Sequence, residues 1–91
     1  MTTLLRQKAE ICNSKGLHAR AAARFCKSAE QFESEILVKR GDTEVSGRSI
    51  MGLMMLAAAQ GTSIEISVSG DDAVAAMTAL CTLVANKFDE E

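Results

Sequence analysis

The sequence predicts an α+β open-faced sandwich in the order βαββαβα, a four-stranded antiparallel sheet with three helices on one face. Three observations carry that prediction. Ser63, Glu65, Ser67 and Ser69 alternate with Ile64, Ile66 and Val68, so one strand has an apolar face and a wet face. Leu17, Ala22, Phe25, Cys26 and Ala29 recur at the spacing of a helical face, and so do Ala73, Met77, Leu80, Val84 and Phe88. Glycine-containing turns separate the periodic segments without proline, linker or internal repeat, and an antiparallel sheet in a single small domain buries its apolar face under helices on that side.

Each element has its own warrant. Residues 4–12 mix Leu5, Ala9 and Ile11 with charged residues and read as the first strand, and residues 13–16, NSKG, are turn chemistry. The helix that starts at Leu17 leaves Arg20, Arg24 and Lys27 on its outer side, so its exposed face is basic. SEILVKRGDTEVSG reads as two short strands joined at Gly41-Asp42, a pair suited to a hairpin turn. SIMGLMMLAAAQG is opened by Ser49 and closed by Gly61, as helix ends prefer. Its methionines and leucines run almost all the way round, which means either deep burial or an apolar face that meets something else. Asp71 and Asp72 open the last helix, where acidic residues suit the positive end of the helix dipole.

Ninety-one residues form one domain with a core but little room for a deep cleft, which favours a binding or carrier module over a stand-alone enzyme. Cys12, Cys26 and Cys81 are an odd number without close pairing, and no signal-peptide pattern is evident, so a reduced cytoplasmic setting is expected. The longest mainly apolar run, residues 50–59, is about half of a bilayer crossing, which predicts a soluble protein without membrane insertion. Net charge is −2, but it is unevenly spread. Arg6, Lys8, Lys15, Arg20, Arg24 and Lys27 oppose Glu10 alone near the start, whereas Asp71, Asp72, Asp89, Glu90 and Glu91 outweigh Lys87 near the end. A pI near 5.4 with three aromatics, all Phe, argues against a nucleic-acid partner. A local basic face suits a phosphorylated ligand or an acidic protein surface. One histidine and three scattered cysteines lack metal-ligand spacing, and no cofactor is expected.

The stretch NSKGLHARAAARF places the lone His18 at the first turn of a helix, among backbone N–H groups without intrahelical partners. If the imidazole accepts a phosphoryl group, those donors and the planar fork of Arg20 share the new charge. Gly16 lets the turn bring backbone close without a Cβ in the way. On spacing alone the alternative stays open, that His18 is a surface residue or a weak helix cap.

GLHARAAARF followed by GRSIMGLMMLAAAQGTSIEI resembles the HPr family, the histidine-containing phosphocarriers of the bacterial phosphoenolpyruvate-dependent phosphotransferase system, which includes the nitrogen-branch NPr proteins. The likeness runs from about Lys8 to Phe88. It implies that His18 takes a phosphoryl group on Nδ1 from enzyme I and passes it to a IIA-type protein, with Arg20 neutralising it. It implies also that Ser49 is open to regulatory phosphorylation by an HPr kinase/phosphorylase, although a serine at a helix N-cap needs no further reason to be there. The family pattern has proline after the arginine, where this chain has Ala21. Alanine is the better helix former, so the helix is expected to persist. That departure and the acidic FDEE tail lean towards a regulatory or nitrogen-type branch.

With Leu53 and Leu56 turned inward, Ile50, Met51 and Met54 face solvent beside Ser49 and, in the resembled fold, near the His18 end. Together with Leu17 and Ala19, and rimmed by Arg20, Arg24, Lys27 and Arg48, they make an expected partner surface, since methionine adapts to several partners. The residues alone leave open that all three pack in the core. A monomeric phosphocarrier is the primary expectation. A non-catalytic regulatory binding protein that acts through the Ser49 helix surface is the alternative.

Overall fold

The strand that carries Ile64, Ile66 and Val68 is paired on both sides and so lies inside the sheet. The computed structural model describes residues 3–90, and Glu91 of the acidic tail lies outside them. Its strands are β1 (Thr3–Glu10), β2 (Glu35–Arg40), β3 (Thr43–Ser46) and β4 (Ser63–Gly70), in the spatial order β1-β4-β2-β3 and antiparallel throughout. Helices α1 (Ala19–Ala29), α2 (Ile50–Met55) and α3 (Ala73–Ala85) complete the order βαββαβα. Ile36, Val38, Ile64, Ile66 and Val68 are buried under them, with Phe25, Leu53, Ala76, Leu80 and Phe88 on the helical side. Fully burying each large apolar side chain is worth about 1.5–3 kcal/mol.

The other sheet face is wet for a reason visible in the register. Lys8 lies opposite Glu65, Glu65 opposite Lys39, and Lys39 opposite Glu44, so charge alternates across all four strands. The hairpin turns at Gly41-Asp42, and Gly41 takes the positive φ, 60°, that a two-residue loop requires.

Several boundaries differ from the sequence expectation. α1 starts at Ala19, not at Leu17, because His18 keeps an extended backbone as its N-cap. β1 stops at Glu10, although Ile11 still donates to Thr62 O at 2.8 Å and accepts from the Gly61 N–H at 2.7 Å. α2 ends at Met55, not near Gly61: Ala57 turns left-handed, and buried Ala58 offers its carbonyl to Leu17 N at 2.9 Å. A tertiary contact here overrides the helix propensity of three alanines. α3 ends at Ala85, and Lys87, Phe88 and Asp89 follow in the left-handed region with φ of 57°, 55° and 61°. Phe88 reaches the core by this turn and not by helical periodicity.

Asp72 also departs from expectation. It precedes α3 but makes no side-chain cap bond; its carboxylate accepts from Glu33 N at 2.8 Å, Ser34 N at 3.0 Å and the Ser34 hydroxyl. The Ser34 hydroxyl foremost, then the Glu33 amide, hold the Asp72 carboxyl below its ordinary range. Its work is to tie the loop between α1 and β2. Cys12, Cys26 and Cys81 are free thiols, and no helix among the described residues is long and apolar enough to cross a membrane.

Candidate functional site

His18 is the N-cap of α1. Its backbone is extended, its carbonyl accepts from Ala22 N at 2.8 Å, and its ring Nδ1 accepts from Arg20 N at 3.3 Å. The lone pair on Nδ1 therefore points at the free donors of the first helical turn. At 3.3 Å that cap bond is long, so the ring surrenders little by giving it up. Gly16 shapes the approach: its φ is 66°, and a Cβ there would stand 2.5 Å from Ala58 O.

Ala21 explains why helix α1 persists without the family's proline. It is the third residue of the helix, where a backbone N–H has no intrahelical partner, so proline and alanine differ by no ladder bond. Its side chain is fully buried.

The ring's other nitrogen has a partner that sequence reasoning missed. Nε2 of His18 is paired with Oε2 of Glu90 from the far end of the chain, and Asn13 Nδ2 donates to Oε1 of the same carboxylate at 2.8 Å. Asn13, fully buried, also donates to Gly16 O at 2.7 Å, so one amide joins the glycine turn to the C-terminal strap, residues 86–90. Burial works to raise the Glu90 carboxyl, but the hydrogen bonds from His18 and Asn13, helped by the charges of His18 and Lys15, outweigh it and hold the group below the ordinary glutamate range. The side chain of His18 keeps 26% of its surface exposed and that of Glu90 15%, so the pair is sheltered but reachable. Only the FDEE composition hinted at this, and a charge run in sequence does not reveal what it folds against.

Ser14, Lys15, Arg20, Arg24, Asp89 and Glu90 line an open cleft beside the ring. The positive end expected around His18 carries acids as well: Asp89 and Glu90 fold back onto it. Two of the expected rim cations have partners inside the fold, although Arg48 stays exposed. Arg24 is half-buried and donates to the Phe88 carbonyl, clamping the strap. Arg48 donates to the carbonyls of Ala29 at 3.3 Å, Phe32 and Ser34 at 3.0 Å, closing the end of α1. Both guanidiniums satisfy backbone carbonyls that regular structure leaves open. Arg20, Lys27 and Ala19 are exposed, while Leu17, 5% exposed, belongs to the core and supports the surface from beneath instead of facing a partner.

Ser49 caps α2, its Oγ accepting from Gly52 N at 2.9 Å. Leu53 and Leu56 are buried as expected, leaving Ile50, Met51 and Met54 exposed, joined by Met55, which the sequence reading did not single out. Ser49 is not beside His18. Its neighbour Arg48 reaches the C-terminal end of α1, whereas the chain after α2 reaches Leu17 at the N-terminal end. The exposed side chains of α2 therefore bridge the two.

Comparison with known proteins agrees with this fold. The family model for the PTS HPr component phosphorylation site matches residues 5–86. The chain is 52% identical over 87 residues to a phosphocarrier protein HPr of Neisseria meningitidis, spanning 96% of this chain and 98% of that one. It is 43% identical to a phosphocarrier protein NPr of Shewanella violacea, spanning 97% of each chain. A crystal structure of HPr from Thermoanaerobacter tengcongensis superposes with a TM-score of 0.90 at 42% identity, spanning 96% of this chain and 98% of that one.

Proposed function

The chain belongs to the HPr family of phosphotransferase-system phosphocarriers, and from that membership we propose that His18 accepts a phosphoryl group from phosphorylated enzyme I and hands it to a IIA-type protein. The carrier works as a cytoplasmic monomer and not as a stand-alone enzyme. The observation that carries the reading is the direction of Nδ1. Its lone pair attacks phosphorus while the bond to the donor breaks and leaves its electron pair on the donor. The Arg20 N–H that now donates to Nδ1 at 3.3 Å is then placed to donate to a phosphoryl oxygen, and the exposed Arg20 fork adds a charge-assisted contact. No other strong acid, base or metal group is required, because the partner proteins complete the site.

The test is direct. Incubated with enzyme I and phosphoenolpyruvate, the protein gains one phosphoryl group that is labile in acid and stable in base; His18→Ala gains none. Labelling of that variant would remove His18 from the role.

Ser49 is the regulatory position in this reading, modified by an HPr kinase/phosphorylase. A phosphate there meets the free donors of α2 and sits beside exposed Ile50 and Met51, so it alters docking more than folding. The same exposed face supports the second reading, a regulatory binding role. As to branch, relatives carry both the HPr and NPr names. Glu90 has a partner at His18, so the acidic tail ceases to argue for the nitrogen branch, and only Ala21 leans that way.

A further inference from the structure

We infer that Met51 and Met55 are sites of reversible oxidation: a hydroperoxide converts their thioethers to sulfoxides, and the oxidised face of α2 docks enzyme I poorly while His18 and the fold stay as they are. The inference rests on the phosphocarrier reading, since it takes the exposed face of α2 for the docking surface.

Helix α2 is apolar on both sides, and the two sides meet different surroundings. Leu53 and Leu56 are buried in the core. Met51 and Met55, one turn apart on the helix, keep 76% and 72% of their surface exposed, and Ile50 and Met54 flank them at 44% each. Met77 on α3 is the internal contrast, 5% exposed and packed in the core. A peroxide reaches a thioether that stands in solvent and not one inside a close-packed interior. Leucine would give an apolar face with no oxidisable atom, yet three of the four exposed apolar positions on α2 carry sulfur. Adaptability to several partners suits methionine to such a face. It also brings the sulfur's chemistry with it.

In the oxidation the sulfur lone pair attacks one peroxide oxygen, and an S–O bond forms as the O–O bond breaks. The proton on the transferred oxygen passes to the departing one, which leaves as water, or as an alcohol from an alkyl hydroperoxide. Sulfur is oxidised by two electrons and the peroxide is reduced by two. Methionine sulfoxide reductases reverse the change by oxidising two thiols to a disulfide, with the oxygen leaving as water. The sulfoxide puts a strongly polar group where an apolar contact was, and a partner that offers it no donor meets a desolvation penalty. Neither sulfur packs in the core, and the Ser49 cap bond to Gly52 N does not involve them. Docking therefore changes and folding does not. Among the thiols, burial pushes those of Cys26 and Cys81 up, away from the reactive thiolate.

The test treats the wild-type protein with hydrogen peroxide and then with dithiothreitol, which reverses sulfenates and disulfides but leaves methionine sulfoxide in place. Peptide mass spectrometry is expected to find Met51 and Met55 oxidised first, Met54 later and Met77 only after unfolding. Transfer from phosphorylated enzyme I is then measured, each protein referred to its own untreated rate. The treated wild type should show an apparent KM raised about tenfold, with kcat and melting temperature held. Incubation with the two methionine sulfoxide reductases, one for each sulfoxide epimer, should restore it. A protein carrying both Met51→Leu and Met55→Leu should keep its own KM through the same treatment. Sulfoxide at both positions with KM unchanged, an equal loss in the double variant, a defect confined to kcat, or Met77 oxidised as fast as Met51 would overturn the inference while leaving His18 as acceptor. An untreated wild-type protein that takes no phosphoryl group would instead overturn the phosphocarrier reading on which the inference rests.

Discussion

Two helices in this protein begin on a residue proposed to carry phosphate, and they are built differently. His18 caps α1 through a long bond to Arg20 N, 3.3 Å, and its ring is held from the other side by Glu90, itself held by Asn13. Ser49 caps α2 through a shorter bond to Gly52 N, 2.9 Å, next to an exposed apolar surface. The first is weak as a cap, and its ring is held at both nitrogens. The second is a good cap with no side-chain neighbour poised to activate its hydroxyl among the described residues. On the proposed roles, a group that must react repeatedly is positioned from several elements, whereas one modified by a kinase needs only to be reachable.

Arg20 offers the largest expected break in this comparison. Its side chain is exposed, so Arg20→Ala should leave the fold intact yet slow phosphoryl transfer by about tenfold or more, the loss of a charge-assisted hydrogen bond of roughly 1.5–3 kcal/mol. Arg20→Lys should recover part, because a point charge lacks the bidentate fork. Stopped-flow or radiolabel kinetics read both; equal rates in all three proteins would mean that the helix donors suffice.

At the other cap, Ser49→Ala should lower stability by about 1 kcal/mol in denaturant melts, the ordinary worth of a lost N-cap, with phosphoryl transfer near wild type. Ser49→Asp keeps a capping group and should hold the melting temperature, but should raise the apparent KM for enzyme I several-fold by placing charge beside the docking surface. A defect in kcat instead would show that the two caps communicate through the fold and not through a partner.

Acid should sharpen the contrast further, with the smallest effect. The Glu90 carboxyl is held below its ordinary range by His18, Asn13 and Lys15, so its contribution is present above the unfolded glutamate pKa of about 4.3 and is lost as pH falls through the lower folded value. Amide exchange measured down through that window should show residues 87–90 losing protection before those of α2, which has no carboxylate latch. Asp72, also held low, loosens the loop between α1 and β2 in a similar window. Simultaneous loss of protection at all three places would mean that global unfolding, not the strap, responds to acid.

Much of this was legible in order along the chain. Alternation in Ile64, Ile66 and Val68, the Gly41-Asp42 turn and the periodicity of Phe25, Cys26 and Ala29 depend on local geometry, which a sequence records directly. His18 and Arg20 were legible for the same reason, since a helix start lies within a few residues of its own signals. What the sequence did not show was of another kind. Arg24 and Arg48 also bind the carbonyls of Phe88, Ala29, Phe32 and Ser34, Arg48 while staying exposed. Asp72 looked like a helix-dipole partner and serves a loop 38 and 39 positions away. Long side chains with several donors or acceptors can find partners on any element, and their sequence neighbours do not say which.

The sequence alone determined the element order, the inward faces, the one histidine and the arginine beside it, because each follows from spacing of two to four residues. Tertiary structure decided where the charged ends of the chain meet. The N-terminal excess of cations and the C-terminal excess of anions are two separate facts in the sequence; folding brings Lys15, Arg20 and Arg24 and Asp89 and Glu90 around one cleft. Burial of Phe88 fixes where the strap must lie, and the left-handed turn around it fixes where Glu90 must end. No periodicity encodes that outcome, since it depends on a side chain closing a distance that only the packed core defines.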